Sequence, residues 1–418
     1  MAALLLTAGS FAASVKTDRT WYLAGEPMQV SVGTEGALIA YAELCDQTSL
    51  AAGVVISLDE GRGTGTIELP ADMHSGYYML SVYTRDNALV TRRLIAIVNP
   101  LHRSQDDDIT WQSIADGDSL SYPSMPRGER LSYDEMSVEK PVDIRETEGH
   151  IIRARIANVY RGTTYHSHQI NPSLSIVGKQ VHYFEGRMVN DTTALFFTHG
   201  LHGKQPLVLS AATYDGQSIP IEMISPFEVL LPKQLPHLIF HYRRSEVEQR
   251  SLAMQRHQLA IAPAKRELQL GDYADDTAED GVPLDYDDTI YGTRPDLSYN
   301  LDEYRQFFTV KDVITEYVHL VHRVRINGLP QLVVRSNDAP YDSKWPAMVF
   351  IDGMPVIDIE RLLNYDARRI HYINIYAHQY VFGNYVYNGI LSFITRSGRL
   401  TNYKTEPNVQ YLVYDFPE

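Results

Sequence analysis

The sequence predicts a multidomain, mainly β protein with two β-sandwich domains followed by a small α+β domain. Apolar runs are short and are broken by Gly, Pro and Asp, and the 28 tyrosines and 21 prolines favour strands and turns over long helices. A clear helical period is found only after residue 300. With 418 residues, 44% of them hydrophobic, the chain is long enough for two to four domains with separate cores.

The first thirteen residues predict export. Residues 1–13, MAALLLTAGSFAA, contain an apolar stretch followed by small residues, as in a secretory signal peptide, although the usual basic leader is missing. We interpret them as a truncated signal peptide, against the alternatives of a first strand or a frayed end. No cysteine follows, so a lipid anchor is not expected. No stretch reaches the roughly 20 apolar residues of a membrane-spanning helix, so the expected location is the periplasm.

Charge and cysteine content exclude several classes of protein. The formal charge of −15 argues against a nucleic-acid partner, because the phosphate backbone is bound by clustered Lys and Arg. The single cysteine, Cys45, excludes an intrachain disulfide and a cysteine-rich zinc site. We expect Cys45 to be a small buried side chain in the apolar run that precedes it.

The first sandwich is predicted over residues 14–100. In MQVSV the residues Met28, Val30 and Val32 share one face of a strand, and Gly- and Pro-containing turns separate the later runs. The segments TDRTWYLAGEPMQV, GTGTIELP and SGYYMLSVYT resemble the second macroglobulin-type domain of the α2-macroglobulin family. That resemblance implies a structural or protein-contacting sandwich. The Cys-Gly-Glu-Gln segment of full macroglobulins is absent, so covalent trapping of proteases is not implied.

Two linkers flank the predicted second sandwich, which spans residues 149–262. Apolar periodicity fades over residues 101–148, which predicts the first linker. The second linker, residues 263–300, has ten acidic residues and one arginine between Glu267 and Asp296, and self-repulsion predicts an extended, mobile segment. Calcium binding is an alternative for these carboxylates, but the spacing of an EF-hand loop is missing.

The third domain is predicted over residues 301–400, followed by a tail over residues 401–418. Thr309 and Asp312 have the spacing of a helix N-cap, and apolar residues then recur with a helical period from Val310 to Val321. Further on, Asp358 precedes a short apolar-faced helix. Strands are predicted in LPQLVVR, AMVFID, RIHYINIY and GILSFIT.

This region resembles the plug domain of TonB-dependent outer-membrane receptors, most closely those of Bacteroidetes. The resemblance runs through TVKDVITEYV, QLVVRS, AMVFIDGMPV, RIHYINIY and YVFGNYVYNGILSFITRSG. We call its characteristic residues the plug motif, with a structural or partner-contacting role implied: Asp352, Gly353, Pro355, Gly383, Asn388, Gly389, Thr395 and Gly398. After Gly398 the sequence has too few residues for a receptor barrel, so transport by this chain alone is not expected.

Signals for catalysis and for metal binding are weak. His166 and His168 would share a face if HSH were a strand, and with His199 and His202 they could bind zinc or copper. Chance proximity among 15 histidines is the preferred explanation. No nucleophile elbow or phosphate loop is present, and paired glycosidase carboxylates cannot be picked out among 52 acidic residues. We therefore expect no enzymatic activity, no cofactor and no metal.

The functional expectation is an accessory subunit at the outer-membrane periphery, which docks through its plug-like domain on a β-barrel or another envelope complex. Arg361, Arg368 and Arg369 are the candidate partner contacts, against the alternative that they are merely solvated. The competing hypothesis is an envelope protein that binds a glycan or a peptide through its tyrosine-rich sandwiches.

Overall fold

The computed structural model confirms a mainly β, multidomain chain. It describes residues 14–85, 89–102, 108–115, 133–134, 146, 149–177, 182–267, 294–335, 345–382, 385–398, 400, 403 and 406–417. The predicted signal peptide and most of the predicted acidic linker lie outside these residues.

The first sandwich packs a three-stranded sheet, in the order β1-β3-β6, against a five-stranded sheet, β2-β8-β7-β4-β5. Its alternation is as predicted, because Met28, Val30 and Val32 are buried while Gln29 and Ser31 are exposed. Cys45 is fully buried, and burial raises the pKa of its thiol. The strands are β1 (Ser14–Thr17), β2 (Trp21–Leu23), β3 (Pro27–Gly33), β4 (Ile39–Cys45), β5 (Leu50–Ser57), β6 (Arg62–Glu68), β7 (Gly76–Tyr83) and β8 (Leu89–Val98).

The prediction of a linker over residues 101–148 is wrong for part of that range. Strand β9 (Ile109–Ser113) pairs in parallel with β21 (Leu238–Tyr242), and β10 (Tyr133–Asp134) pairs with β20 (Leu231–Pro232). The pairing is stabilised by the indole of Trp111, which packs edge-on against Phe240 and Tyr242. The polar composition of the region obscured this short apolar strand.

The second sandwich also has two sheets, in the orders β16-β17-β11-β19 and β15-β14-β18-β29. Its core lies between them, and a small hairpin of β12 and β13 extends from it. The strands are β11 (His150–Ile156), β12 (Val159–Tyr160), β13 (Thr163–Thr164), β14 (Ile170–Ile176), β15 (His182–Glu185), β16 (Arg187–Asn190), β17 (Thr193–Thr198), β18 (Gly203–Thr213), β19 (Ile221–Ile224) and β29 (Gln410–Phe416).

Strand β29 corrects the prediction that residues 401–418 are a tail. It pairs antiparallel with β18 from Gly203↔Phe416 to Leu209↔Gln410. Tyr414 and Phe416 are buried in the core of the second sandwich. The alternating pattern of YLVYDF is too short to reveal by itself which sheet it joins.

A helix that the sequence did not predict, α1 (Arg244–Glu267), replaces the end of the expected second sandwich. It packs on the first sandwich, where the Arg250 guanidinium donates to both oxygens of Glu26, at 3.0 and 2.5 Å, and lies 3.6 Å from the centre of the Trp21 ring. Val247 and Met254 are buried while Leu252 and Leu259 are exposed, so its apolar residues do not mark a single stripe in the sequence.

The third domain has a five-stranded sheet in the order β22-β27-β28-β25-β26 and a separate hairpin of β23 and β24. Strand β22 lies in the predicted acidic linker but pairs with β27, so that boundary is also wrong. The elements are β22 (Leu297–Asn300), α2 (Val310–Glu316), β23 (Val321–Ile326), β24 (Leu329–Val334), β25 (Met348–Ile351), β26 (Met354–Pro355), α3 (Ile359–Leu363), β27 (Ile370–Phe382) and β28 (Tyr385–Thr395), with short 3-10 helices at Leu301–Glu303 and Ala367–Arg369. A further 3-10 helix, Ser167–Gln169, belongs to the second sandwich.

Both predicted helix starts in this domain are confirmed. The Thr309 hydroxyl accepts from the backbone N–H of Asp312 at 3.2 Å and donates to its carboxylate at 2.6 Å. The Asp358 carboxylate accepts from the backbone N–H of Arg361 at 3.1 Å. Helix α2 ends earlier than the apolar period suggested, yet Val318 and Val321 beyond its end are still buried in the domain core.

The third domain shares buried surface with the second sandwich, so the two are packed together although the segment between them is predicted to be an extended, mobile linker. Val177 and Val208 of the second sandwich belong to the core of the third domain. Tyr183 meets Phe350 and Phe382 edge-on, with ring centres 5.5 and 5.6 Å apart. These apolar contacts hold the two domains together.

Candidate functional site

The plug motif is built around the buried carboxylate of Asp352. Asp352 and Gly353 form the turn between β25 and β26, with φ of 45° and 83°, which is the two-residue hairpin turn expected of Asp-Gly. The Asp352 carboxylate accepts from the backbone N–H and hydroxyl of Thr395, at 2.8 and 2.5 Å, and from the N–H of Leu400 at 2.7 Å. Burial raises the pKa of Asp352, although these hydrogen bonds oppose the shift.

The structure thus brings the first and last residues of the motif together. The Gly398 N–H donates to the Thr395 hydroxyl at 3.1 Å, which closes the turn after β28. Pro355 is buried in β26. All of these contacts lie inside the third domain.

The Asn-Gly pair of the motif lies within a strand. Asn388 and Gly389 belong to β28, next to a break in the β27–β28 register between Tyr376 and Gln379. Gly389 has φ of 81°, and a Cβ there would lie 2.7 Å from the Tyr376 carbonyl oxygen and from Val334 Cβ. Only glycine fits this bulge. Gly383, the remaining motif residue, lies outside the described residues.

One of the three predicted arginines, Arg368, lies beside an exposed aromatic ring. The Arg368 guanidinium donates to both carboxylate oxygens of Asp366, at 2.9 and 2.8 Å, and lies 5.2 Å from the centre of the Phe308 ring. Arg369 is 4.0 Å from the same carboxylate. The Phe308 side chain is 74% exposed. Arg361 is on α3, and its backbone N–H donates to the capping carboxylate of Asp358.

Further arginines lie near Arg368 and complete what we call the arginine face. Arg305 and Arg396 line a shallow depression together with Arg368 and Tyr304. Arg396 donates to Asp302 at 2.5 Å, so its charge is partly balanced. We use the name arginine face for Phe308, Arg305, Arg368, Arg369 and Arg396. An exposed aromatic ring beside guanidinium groups is typical of a protein-contact surface.

A cleft of about 220 Å³ opens where the second sandwich meets the third domain. It is lined by five segments that are far apart in the sequence, residues 160–161, 216–218, 329–331, 357–359 and 406–408. Glu406 lies at its base, where its carboxylate accepts from the backbone N–H of Ile357 and Asp358, both at 3.0 Å for one oxygen, and burial raises its pKa. No local pattern in the sequence predicts this cleft, because its walls are far apart along the chain.

A buried polar cluster joins the first sandwich to the second. The Glu146 carboxylate lies 2.8 Å from the Tyr41 hydroxyl, 3.1 Å from the Arg85 guanidinium and 3.1 Å from Nδ1 of His150. The other ring nitrogen, Nε2 of His150, is 2.6 Å from the Tyr414 hydroxyl. We call these five residues the domain joint. None of them was singled out from the sequence.

Burial sets the protonation states in the domain joint. Burial lowers the pKa of His150 below its ordinary value of 6.5, and the opposing charge of Glu146 does not restore it. Burial alone would raise the pKa of Glu146, but the hydrogen bond with His150 and the charge of Arg85 outweigh it and hold that pKa below its ordinary value. The imidazole is therefore neutral, so Nδ1 donates to Glu146 and Nε2 accepts from Tyr414.

The histidines considered as metal ligands have other partners. HSH is not a strand, because Ser167–Gln169 is a 3-10 helix, and Nδ1 of His166 lies 3.1 Å from the Asp191 carboxylate. His199 packs edge-on against Phe184, and Nδ1 of His202 lies 3.1 Å from the carbonyl oxygen of Pro417. Within the described part of the chain, no three His, Cys, Asp or Glu residues are grouped as metal ligands.

Comparison with known proteins does not assign this chain to a family. No family model and no curated protein match the sequence. Among solved structures, the BSP domain of a biofilm-associated protein matches at 13% identity over 50% of this chain and 29% of that one, with a TM-score of 0.17. The native conformation of E. coli α2-macroglobulin matches at 10% over 52% and 14%, and Salmonella α2-macroglobulin reacted with methylamine at 10% over 51% and 14%, both with a TM-score of 0.19.

Each of these structures is much longer than the part that the chain matches, and TM-scores this low carry no argument about function. Two of them are α2-macroglobulins, the family that residues 14–100 resemble, and none of the three is a TonB-dependent receptor. Among the described residues, no helix combines the length and the apolar character that crossing a membrane would take.

Proposed function

We propose that this chain is a non-enzymatic protein of the periplasm or the outer-membrane periphery that binds an outer-membrane β-barrel protein or its complex through the third domain. The observation that carries the proposal is the arginine face. Its ring of Phe308 is 74% exposed and lies against Arg368. The plug-like resemblance of residues 301–400 supports an outer-membrane partner, and the signal-like residues 1–13 support export.

The chemistry of the arginine face favours a protein partner with acidic groups. The chain as a whole carries a formal charge of −15, yet this face has four arginines, three of which pair with Asp366 or Asp302. Arginine pairs with carboxylates in a planar, two-bond geometry, and an exposed phenyl ring supplies apolar area at the centre of such a contact. On this face Phe308 is 74% exposed, and the side chains of Arg368 and Arg396 are 52% and 38% exposed.

A capture experiment tests this proposal. The tagged full chain is incubated with detergent-solubilised envelopes of the native organism, and bound proteins are identified by mass spectrometry. The double variant Phe308→Ala/Arg368→Glu should recover at least tenfold less outer-membrane β-barrel protein. Leu259→Ala is the matched control, because Leu259 on α1 is also 74% exposed, and it should change nothing.

Two results would contradict the proposal. Equal recovery by the double variant and the unmodified chain would place the contact elsewhere. Failure of the unmodified chain to recover any β-barrel protein would remove the proposed partner altogether.

A further inference from the structure

The cleft between the second sandwich and the third domain presents hydrogen-bond acceptors that have no donor in the described part of the chain. Gln331 is only 7% exposed, and its amide nitrogen donates to the carbonyl oxygen of Asp215 at 3.3 Å. The amide nitrogen of Gln217 donates to the carbonyl oxygen of Ser218 at 2.9 Å. One hydrogen of each amide nitrogen is therefore donated within the chain, and no hydrogen bond to either amide oxygen is found among the described residues. Because both side chains line the cleft, their oxygens can accept hydrogen bonds from a ligand that carries donors.

The aromatic wall of the cleft is oriented by its neighbours. Tyr160 and Arg161 lie in the β12–β13 hairpin, and the Arg161 guanidinium is 5.2 Å from the centre of the Tyr160 ring. The amide nitrogen of Asn408, on the opposite segment, donates to the carbonyl oxygen of Ser218 at 3.2 Å. The Tyr160 ring is half-buried against the core of the second sandwich, which holds it in place at the cleft. It offers a flat apolar surface with polar groups on either side.

Charge at the cleft argues against an anionic ligand. The Asp358 carboxylate is exposed there, and Glu406 lies at the base. Glu406 accepts from two backbone N–H groups and from the Tyr403 hydroxyl, so its oxygens are already bonded. Arg161 is the one arginine or lysine among the described lining residues. A neutral ligand with several donors suits this surface best.

We propose that this cleft binds a single sugar ring of a glycan. A sugar ring carries several hydroxyl donors, which suits the amide oxygens of Gln217 and Gln331, and its C–H face can pack on an aromatic ring such as Tyr160. The volume of about 220 Å³ is below the roughly 300 to 1,000 Å³ of sites for drug-sized ligands, so one ring and not a longer chain is enclosed. A peptide presents one backbone N–H per residue, at a wider spacing.

This site is separate from the arginine face, and the two proposals are tested on different residues. The probes are the methyl glycosides of glucose, galactose, mannose and N-acetylglucosamine, each at millimolar concentration with the full chain. Saturation-transfer NMR should show transfer from the protein to at least one of them. Tyr160→Ala should reduce that transfer at least fivefold, and Gln217→Leu should reduce it at least threefold, with circular dichroism used to check that each variant is folded.

The control is Tyr304→Ala, which removes a partly exposed tyrosine from the third domain away from the cleft and should leave saturation transfer unchanged. Absence of transfer to all four glycosides would overturn the proposal. So would transfer that both cleft variants leave unchanged. Transfer to N-acetylated tripeptides without transfer to any glycoside would show that the cleft binds peptides instead.

Discussion

Nε2 of His150 and the hydroxyl of Tyr414 lie 2.6 Å apart, and this contact joins the first strand of the second sandwich to its last. The same imidazole bonds to Glu146, which in turn contacts Tyr41 and Arg85 of the first sandwich. One neutral side chain thus connects three parts of the chain that are distant in sequence. The domain joint depends on that imidazole remaining uncharged.

Acid should weaken the protein through His150. Its pKa is lower when folded than the ordinary 6.5, so the unfolded chain binds the proton more readily. The neutral His150 contributes fully to the free energy of unfolding above about pH 6.5. As the pH falls from there toward the folded pKa, that contribution is lost, by about 1.4 kcal/mol per pH unit at most. Urea unfolding of the full chain should therefore have a lower midpoint at pH 5.5 than at pH 7.5.

The variant His150→Gln isolates this effect from other titrating groups. Buried carboxyls with raised pKa, such as Asp352 and Glu406, act in the opposite direction, because protonation stabilises them in the folded state. In His150→Gln the loss of stability between pH 7.5 and 5.5 should be smaller than in the unmodified chain. An undiminished loss would mean that His150 does not carry the acid sensitivity.

Asp352→Asn should destabilise the third domain by about 2 to 3 kcal/mol. The carboxylate accepts three hydrogen bonds, and the asparagine amide group would turn an N–H donor toward the donors of Thr395 or Leu400. Thermal unfolding measures the cost. Asp72→Asn, at an exposed aspartate of the first sandwich, is the control and should leave the transition where it is.

Gly389→Ala should cost more than Gly328→Ala, although both glycines have nearly the same φ, 81° and 84°. A Cβ at Gly389 would meet the Tyr376 carbonyl oxygen and Val334 at 2.7 Å, whereas at Gly328 nothing lies within 4 Å. The left-handed backbone alone should lower the free energy of unfolding by about 1 kcal/mol in either variant. The clash at Gly389 should lower it by about 2 kcal/mol more. Equal costs in denaturant unfolding would show that the bulge at Gly389 relaxes freely.

Truncation after Gly398 should open the second sandwich as well as remove β29. Without β29, the backbone groups of β18 from Gly203 to Leu209 lose their partners, and the core loses Tyr414 and Phe416. Hydrogen exchange in β18 should rise by orders of magnitude, while exchange in β4 and β7 of the first sandwich changes little. A synthetic peptide spanning residues 408–417 should partly restore the protection.

Local signals in the sequence predicted local structure well. Thr309 and Asp358 were identified as helix caps, because an N-cap needs only a side chain and a backbone N–H three residues apart. The strand β3 was visible from its alternation for a similar reason. The pairing of β29 with β18 was not predictable, because several sheets can accept a short alternating strand.

The domain joint and the cleft were not predictable for the same reason. The domain joint takes Tyr41, Glu146 and Tyr414 from three distant segments, and the cleft takes its walls from five. Nothing in the local sequence marks such residues, since their proximity is a property of the folded chain. Arg368 is a predicted partner contact, whereas its neighbour Phe308 is not. The exposed Phe308 ring is nevertheless what makes the surface around Arg368 resemble a protein-contact surface.

The position of β29 in the sheet also dictates the order in which the molecule can assemble during synthesis. Strand β18 leaves the ribosome about two hundred residues before the strand that completes its sheet. The first sandwich can close early, whereas the second must wait with one edge open until residue 416 has been made. If the chain is exported, an incomplete second sandwich suits transport in an unfolded state. Strand β29 would then pair with β18 only after the whole chain has crossed the membrane.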